Sequence, residues 1–380
     1  MTKTNKVKRL VEAIVFLLIF FLVFVPLSYT MGLEHMLNTI MQTSYRLLID
    51  TCFFLMAICV VTGALGKLLV EFGVVDLLEK LLRPLMKPVF NLPGVAALGA
   101  VMTFLSDNPA IIALAKDKSF AQYFKKYQLV SLTNFGTAFG MGLIVIAFMT
   151  GLGFGKGALI GLCGAICGSV ISTRLMQKFT LHSFPEYDSP VEIDEVMTED
   201  QIKLEEVKKE STFIRALNSI LDGGKTGVDL GFAIIPGVLI ISTAVMMITF
   251  GPNEATNAYT GAAFEGVSIL PYLAGKISVF FDWLFGFHHA ELVAFPITAL
   301  GAVGAALGLV KGFLDAGFID GNAVAVCTAI GMCWSGFLST HTAMLDSLGY
   351  RHLISKAILA HTIGGFCAGI IAHFIWLLIA

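Results

Sequence analysis

The chain has 380 residues, of which 56% are hydrophobic and 14% charged, and its mean hydropathy is +0.82. Soluble domains run at about a quarter charged, so this composition excludes a soluble globular protein and points to a polytopic α-helical membrane protein. The formal net charge of −2 offers no basic field for nucleic acid.

In chain order, "KTNKVKRLVEAIVFLLIFFLVFVPLSYTMG" has a basic head and an apolar stretch with no small-residue cleavage site after it. It reads as an uncleaved transmembrane helix occupying residues 1–44 with its flank. Further apolar runs cover roughly 46–69, 92–115, 127–150, 156–176, 227–250, 268–287, 291–311, 322–345 and 354–379. Between the runs 46–69 and 92–115 lies "GVVDLLEKLLRPLMKPVFN" (73–91), an amphipathic stretch suited to a membrane surface.

The run 92–115 is interrupted by Ser106, Asp107, Asn108 and Pro109. Ser-Asp-Asn before Pro is a helix-start signal, with Pro at the first helical position. One helix should end before Ser106 and another start at Pro109. At about 1.5 Å per residue neither arm would cross about 30 Å of hydrocarbon. Charge supports the same reading. Lys3, Lys6, Lys8 and Arg9 place the N-terminus in the cytoplasm. If 92–115 crossed, the basic stretch "KDKSFAQYFKK" (116–126) and the loop flanked by Arg174 and Lys178 would both fall outside. As a re-entrant hairpin, 92–115 leaves every basic cluster inside.

A charged linker, 178–226, divides the chain and includes "EVMTEDQIKLEEVKKESTFIRALNS", with an amphipathic helix expected near 199–221. It separates a first repeat, 45–177, from a second, 227–380. "LPGVAALGAVMTFL" (92–105) matches "AFPITALGAVGAAL" (294–307) through A-L-G-A-V. Asp50 aligns with Asp229, Gly73 with Gly275, Gly153 with Gly349, and Gly168 with Gly364. The charge rule gives the two repeats opposite topology. The second has an outer arm at 275–290 and a hairpin at 294–319, with "GAALGLVKG" at its tip. The fold class is therefore all-α, with two inverted-topology repeats, each carrying an amphipathic arm and a re-entrant hairpin. Such repeats bring half-helix ends together near the midplane of a secondary transporter.

The arm followed by "LPGVAALGAVMTFLSDNPAIIAL", with its partner "AFPITALGAVGAALGLVKGFLD", resembles the nucleoside-recognition gate-domain proteins. That group includes spore maturation proteins A and B, the gate segments of ferrous iron transporter B, and the core of concentrative nucleoside transporters. The resemblance covers most of 45–379 in architecture. It implies an elevator-type carrier and homo-oligomers, dimeric or trimeric. The glutamine-threonine-glutamate hairpin signature of the nucleoside carriers is absent from this chain.

Polar residues inside apolar runs are the candidates for a substrate site. They are Ser106, Asp107 and Asn108 at the first tip; Thr133, Asn134 and Thr137 in "SLTNFGTAFGMG", where local unwinding is expected; and Ser335, Ser339, Thr340, His341 and Thr342 in the equivalent second segment. His341 is also a candidate proton carrier. His288, His289 and Glu291 are candidate gating or secondary contacts. They lack the spacing that sets two imidazoles on one helix face, so no metal is expected. Seven cysteines sit in apolar stretches as packing residues. His361 and His373 read as packing histidines.

The expected function is ion-coupled transport, by Na⁺ or H⁺, of a small polar solute of nucleoside-like character, in a bacterial-type inner membrane and without a cofactor. The alternative is a non-transporting gate component that assembles with a partner protein. Enzymatic activity is not expected, because Ser339 and His341 sit two apart and face away from each other on a helix.

Overall fold

The computed structural model describes residues 3–191, 211–253 and 256–379. Residues 199–210 of the amphipathic helix expected near 199–221 lie outside the described residues. The rest, from Thr212, opens a long helix.

The regular elements among the described residues are all helices, with seven helical spans long and apolar enough to cross a membrane. α1 (Lys3–Met31) is followed by α2 (Leu33–Glu71), which contains a π-helical turn at Leu47–Cys52. The amphipathic α3 (Val74–Leu85) ends in a second π-helical turn, Met86–Phe90. Two short helices follow, α4 (Ala96–Leu105) and α5 (Pro109–Lys116). The next span is broken into α6 (Lys126–Thr137) and α7 (Gly142–Gly151), and α8 (Gly155–Ser183) is continuous.

The second half repeats this order. α9 (Thr212–Met247) carries a π-helical turn at Val238–Ser242. Short α10 (Ile269–Gly275) and α11 (Ser278–Phe285) form the arm. α12 (Ala294–Ala299) and α13 (Val303–Asp315) form the second hairpin. The broken span is α14 (Gly321–Cys333) and α15 (Phe337–Ser347), and α16 (Ile354–Ile379) closes the fold.

The two broken spans form the centre. Their apolar windows are 89% and 83% buried, against 6% for α1. A span buried on all sides can carry polar side chains and interrupted backbone without meeting lipid. Around them, helices cross on glycines. A Cβ at Gly168 would lie 2.6 Å from the Gly364 carbonyl oxygen, and one at Gly364 would lie 2.8 Å from that of Gly168. Only a pair lacking side chains allows α8 and α16 to approach so closely.

Hydrogen bonds fix where each hairpin is rooted. Before the first hairpin, the carbonyls of Pro88 and Val89 accept from Arg174 (2.8 and 2.9 Å), and that of Phe90 from Gln177 (3.0 Å). The Asn91 carbonyl accepts from Gln128, beyond the hairpin, at 2.7 Å. Both ends of the hairpin therefore lie at the C-terminal end of α8. At the second hairpin, Asn322 donates back to the Phe285 carbonyl (2.8 Å), and His289 stacks on Phe318 (4.8 Å between ring centroids). This base packs beside Trp376 and the N-terminal turn of α8: a Cβ at Gly157 would meet the Gly321 carbonyl oxygen at 2.7 Å. The two hairpins are thus rooted at opposite ends of α8, a helix about 43 Å long at 1.5 Å per residue.

Two sequence expectations about the second hairpin need correction. Its tip is Leu300-Gly301-Ala302, and "GAALGLVKG" lies inside α13. The A-L-G-A-V match therefore pairs the middle of α4 with a tip. The residues share small-side-chain chemistry, not a place in the fold.

Candidate functional site

A cavity of about 400 Å³ lies where the irregular segments meet. Asp107, Asn108, Pro109 and Ile112 come from the first hairpin, and Gly301 to Ala305 from the second. Met141 comes from the break in the first broken span, and Ser335, Gly336, Ser339, Thr340 and Ala343 from the second. Leu230, Ala233, Ile234 and Gly237 of α9 form the remaining wall. Each half-helix lining the cavity (α5, α7, α13 and α15) presents its N-terminal end; none of α4, α6, α12 or α14 contributes a lining residue. Free N–H groups and the positive ends of helix dipoles therefore dominate the backbone of the site.

Asn108 is the junction. It is 4% exposed, and its Nδ2 donates to Ser335 Oγ at 3.4 Å. A Cβ at Gly140, in the first helix break, or at Gly336, in the second, would overlap the Asn108 amide. Gly336 also has φ +63°, a backbone conformation that disfavours side chains. One side chain thus sits between both breaks. Asp107 Oδ1 and Asn108 Oδ1 are buried with no partner among the described residues. The capping role expected of Ser106-Asp107-Asn108 is not played by their side chains. Asn108 makes no cap bond, and exposed Ser106 donates backward to the Met102 carbonyl at 2.6 Å. Proline at the first helical position and the chain reversal suffice to start α5.

The other candidates separate into two places. Ser335, Ser339 and Thr340 line the cavity. Thr133, Asn134, Thr137 and His341 are buried behind it, in the packing of α6 and α15 against α8 and α16. There, proton counting fixes a direction. Thr137 Oγ1 donates to the Thr133 carbonyl (2.6 Å), so it must accept from His361 Nε2 (3.2 Å). Neutral His361 then accepts at Nδ1 from Ser172 Oγ (2.9 Å), which accepts from Asn134 Nδ2 (2.9 Å). His341 Nδ1 donates to the Phe337 carbonyl, and its Nε2 has no partner among the described residues. Trp334 Nε1 donates to the His361 carbonyl at 3.0 Å.

Ser106 and Thr342 are exposed and lie outside the cavity. His288 and His289 line a separate hollow of about 90 Å³ with Phe318 and Asp320, and His288 Nδ1 pairs with Asp282 at 2.8 Å. Glu291 sits in the turn that enters the second hairpin. The sequence reading missed the backbone of 301–305 and the α9 wall. Neither carries a polar side chain to mark it. His361 is not a lone packing histidine; it is the centre of the buried network.

Residues 7–153 match the family model described as "Gate: Nucleoside recognition". An uncharacterized protein of Alkalihalophilus pseudofirmus is 27% identical over 220 residues, covering 56% of this chain and 46% of that relative, so the match spans less than half of its length. Among solved structures, a variant of CNTnw in the intermediate 1 state has a TM-score of 0.53 at 14% identity, covering 84% of this chain and 75% of that one. CNTnw in an inward-facing substrate-bound state gives 0.51 at 14% identity, covering 84% and 74%. Likeness at this identity concerns the fold. The chain is thus a multi-pass membrane protein in which residues 7–153 match the nucleoside-recognition gate model and whose fold is similar to that of the concentrative nucleoside transporters.

Proposed function

We propose that this chain is an elevator-type secondary carrier of a small polar solute. The observation that carries the reading is the single cavity shared by both hairpin tips and both helix breaks. A site made of four interrupted elements changes access when they move as one body, without being dismantled. The rooting of the hairpins at opposite ends of α8 supports inverted topology and opposite entry sides. Coupling to Na⁺ or H⁺ belongs to the same proposal. The Asp107 carboxylate, whose Oδ1 has no partner among the described residues, supplies an acceptor where a cation would be stabilised. Homo-oligomeric assembly and placement in a bacterial-type inner membrane, N-terminus inside, complete the reading.

Counterflow in proteoliposomes tests it. Vesicles loaded with nucleosides, nucleobases or amino acids should take up the matching labelled solute, and an imposed Na⁺ or pH gradient should drive accumulation. Asp107→Ala should abolish uptake while the protein remains folded. Uptake by Asp107→Ala at the wild-type rate would remove this cavity from the transport path.

A further inference from the structure

The cavity's polar groups divide into two kinds. At the first hairpin the charged side chain is an acceptor: Asp107 lines the cavity, and its Oδ1 has no partner among the described residues, whereas the Asn108 oxygen is turned toward Gly140. No Lys, Arg or His lines the cavity to balance that carboxylate. At the second hairpin the polar groups are donors. α13 is 13 residues long and its N-cap is Ala302, which has no side-chain oxygen to give. Among the described residues, the N–H groups of Val303, Gly304 and Ala305 have neither a side-chain cap nor a backbone acceptor. A bare N-terminus of this length carries about half a positive charge and binds anionic oxygens. The remaining walls are largely apolar. Two of the three lining hydroxyls are already engaged: Ser339 donates to the Gly336 carbonyl at 3.3 Å, and Ser335 accepts from Asn108. A polyhydroxylated or phosphorylated solute would find few partners here.

Resting on the carrier reading above, we propose that the cavity takes a small zwitterion with an apolar body, of the α-amino acid class. Its ammonium group lies at the Asp107 carboxylate, and its carboxylate lies at the bare N-terminus of α13. Each charge of the solute then meets a group of opposite sign. The apolar body rests against Ile112 and the α9 wall.

Calorimetric titration of the purified full chain with leucine, leucinamide, N-acetylleucine and uridine tests this. Leucine should bind about tenfold or more tighter than either capped analogue, each of which lacks one charge. Asp107→Asn should weaken leucine and leucinamide alike and leave N-acetylleucine unchanged. Ala302→Asp should do the reverse. Its N-cap backbone (φ −165°, extended) accepts any residue, and the new carboxylate would cap α13 and raise Tm. It would also displace the solute carboxylate, removing leucine's advantage over leucinamide. Uridine or N-acetylleucine binding as tightly as leucine overturns the zwitterion and leaves the carrier reading standing. No binding by any of the four probes overturns the zwitterion, and the carrier reading then rests on the counterflow experiment alone.

Discussion

At the scale of single residues, Asn108 and His361 do different work. Asn108 fills the space that Gly140 and Gly336 leave open, so their effects should be coupled. Gly140→Ala alone should cost about 1–3 kcal/mol through overlap with the amide. Asn108→Ala should lose the bond to Ser335. The double variant should be more stable than the sum of the two losses, because the overlap disappears with the amide. Thermal unfolding of the four proteins in detergent checks this, and simple additivity would refute the wedge. His361 holds three helices through Ser172 and Thr137, so His361→Leu leaves the buried Ser172 hydroxyl proton without its acceptor and takes from Thr137 its donor, and should cost about 1–3 kcal/mol. His341→Leu removes one backbone contact and a nitrogen that already lacks a partner, so it should cost less and leave solute binding intact. That outcome differs from the sequence reading, which put His341 in the site. A polar residue in an apolar run announces that it faces protein. It does not say whether it faces a cavity or a neighbouring helix.

At the scale of elements, glycine positions decide which helices touch. Gly168→Leu or Gly364→Leu would drive side chains into the facing backbone at the α8–α16 crossing. Either should lower stability by about 1–3 kcal/mol or more, read as a fall in Tm with no change in span number. A Leu tolerated at both sites would show that the helices do not meet there. The same crossing shows what was legible in the chain. Gly153 and Gly349 precede α8 and α16 with φ +95° and +79°, and Gly168 and Gly364 meet at their contact. These aligned pairs share one offset, which the two helix breaks also follow. The A-L-G-A-V and Asp50–Asp229 alignments follow other offsets. Asp50 lies in a π-helical turn, whereas Asp229 lies in regular helix ahead of one. Backbone constraints survive in sequence as glycines; apolar matches between membrane helices arise from composition. The first hairpin was legible because polar residues, proline and the charge rule agreed. The tip of the second was not, because Leu300-Gly301-Ala302 contains nothing that interrupts an apolar pattern.

At the scale of the whole molecule, the open question is which face is cytoplasmic, and the structure gives it two fixed ends. At one end, Arg215 of α9 pairs with Glu71 of α2 at 2.6 Å, and Lys125 pairs with Asp188 at 2.7 Å. The loop after the first hairpin and the start of the charged linker therefore share a face. At the other end, the Phe264 N–H donates to Thr43 Oγ1 at 2.9 Å, placing the loop after α9 beside the start of α2. Basic residues gather at the first end, where Lys116, Lys118, Lys125, Lys126, Arg174 and Lys178 all lie. The positive-inside rule predicts that this end is cytoplasmic. In a cysteine-free background, Tyr123→Cys, at a residue 61% exposed, should react with an impermeant maleimide only after permeabilisation. Ala258→Cys, exposed in the loop after α9, should react in intact cells. Tyr123→Cys labelled from outside would reverse the orientation. Labelling of both from the same side would mean that α9 does not cross, and the two-ended arrangement of hairpins would fall with it.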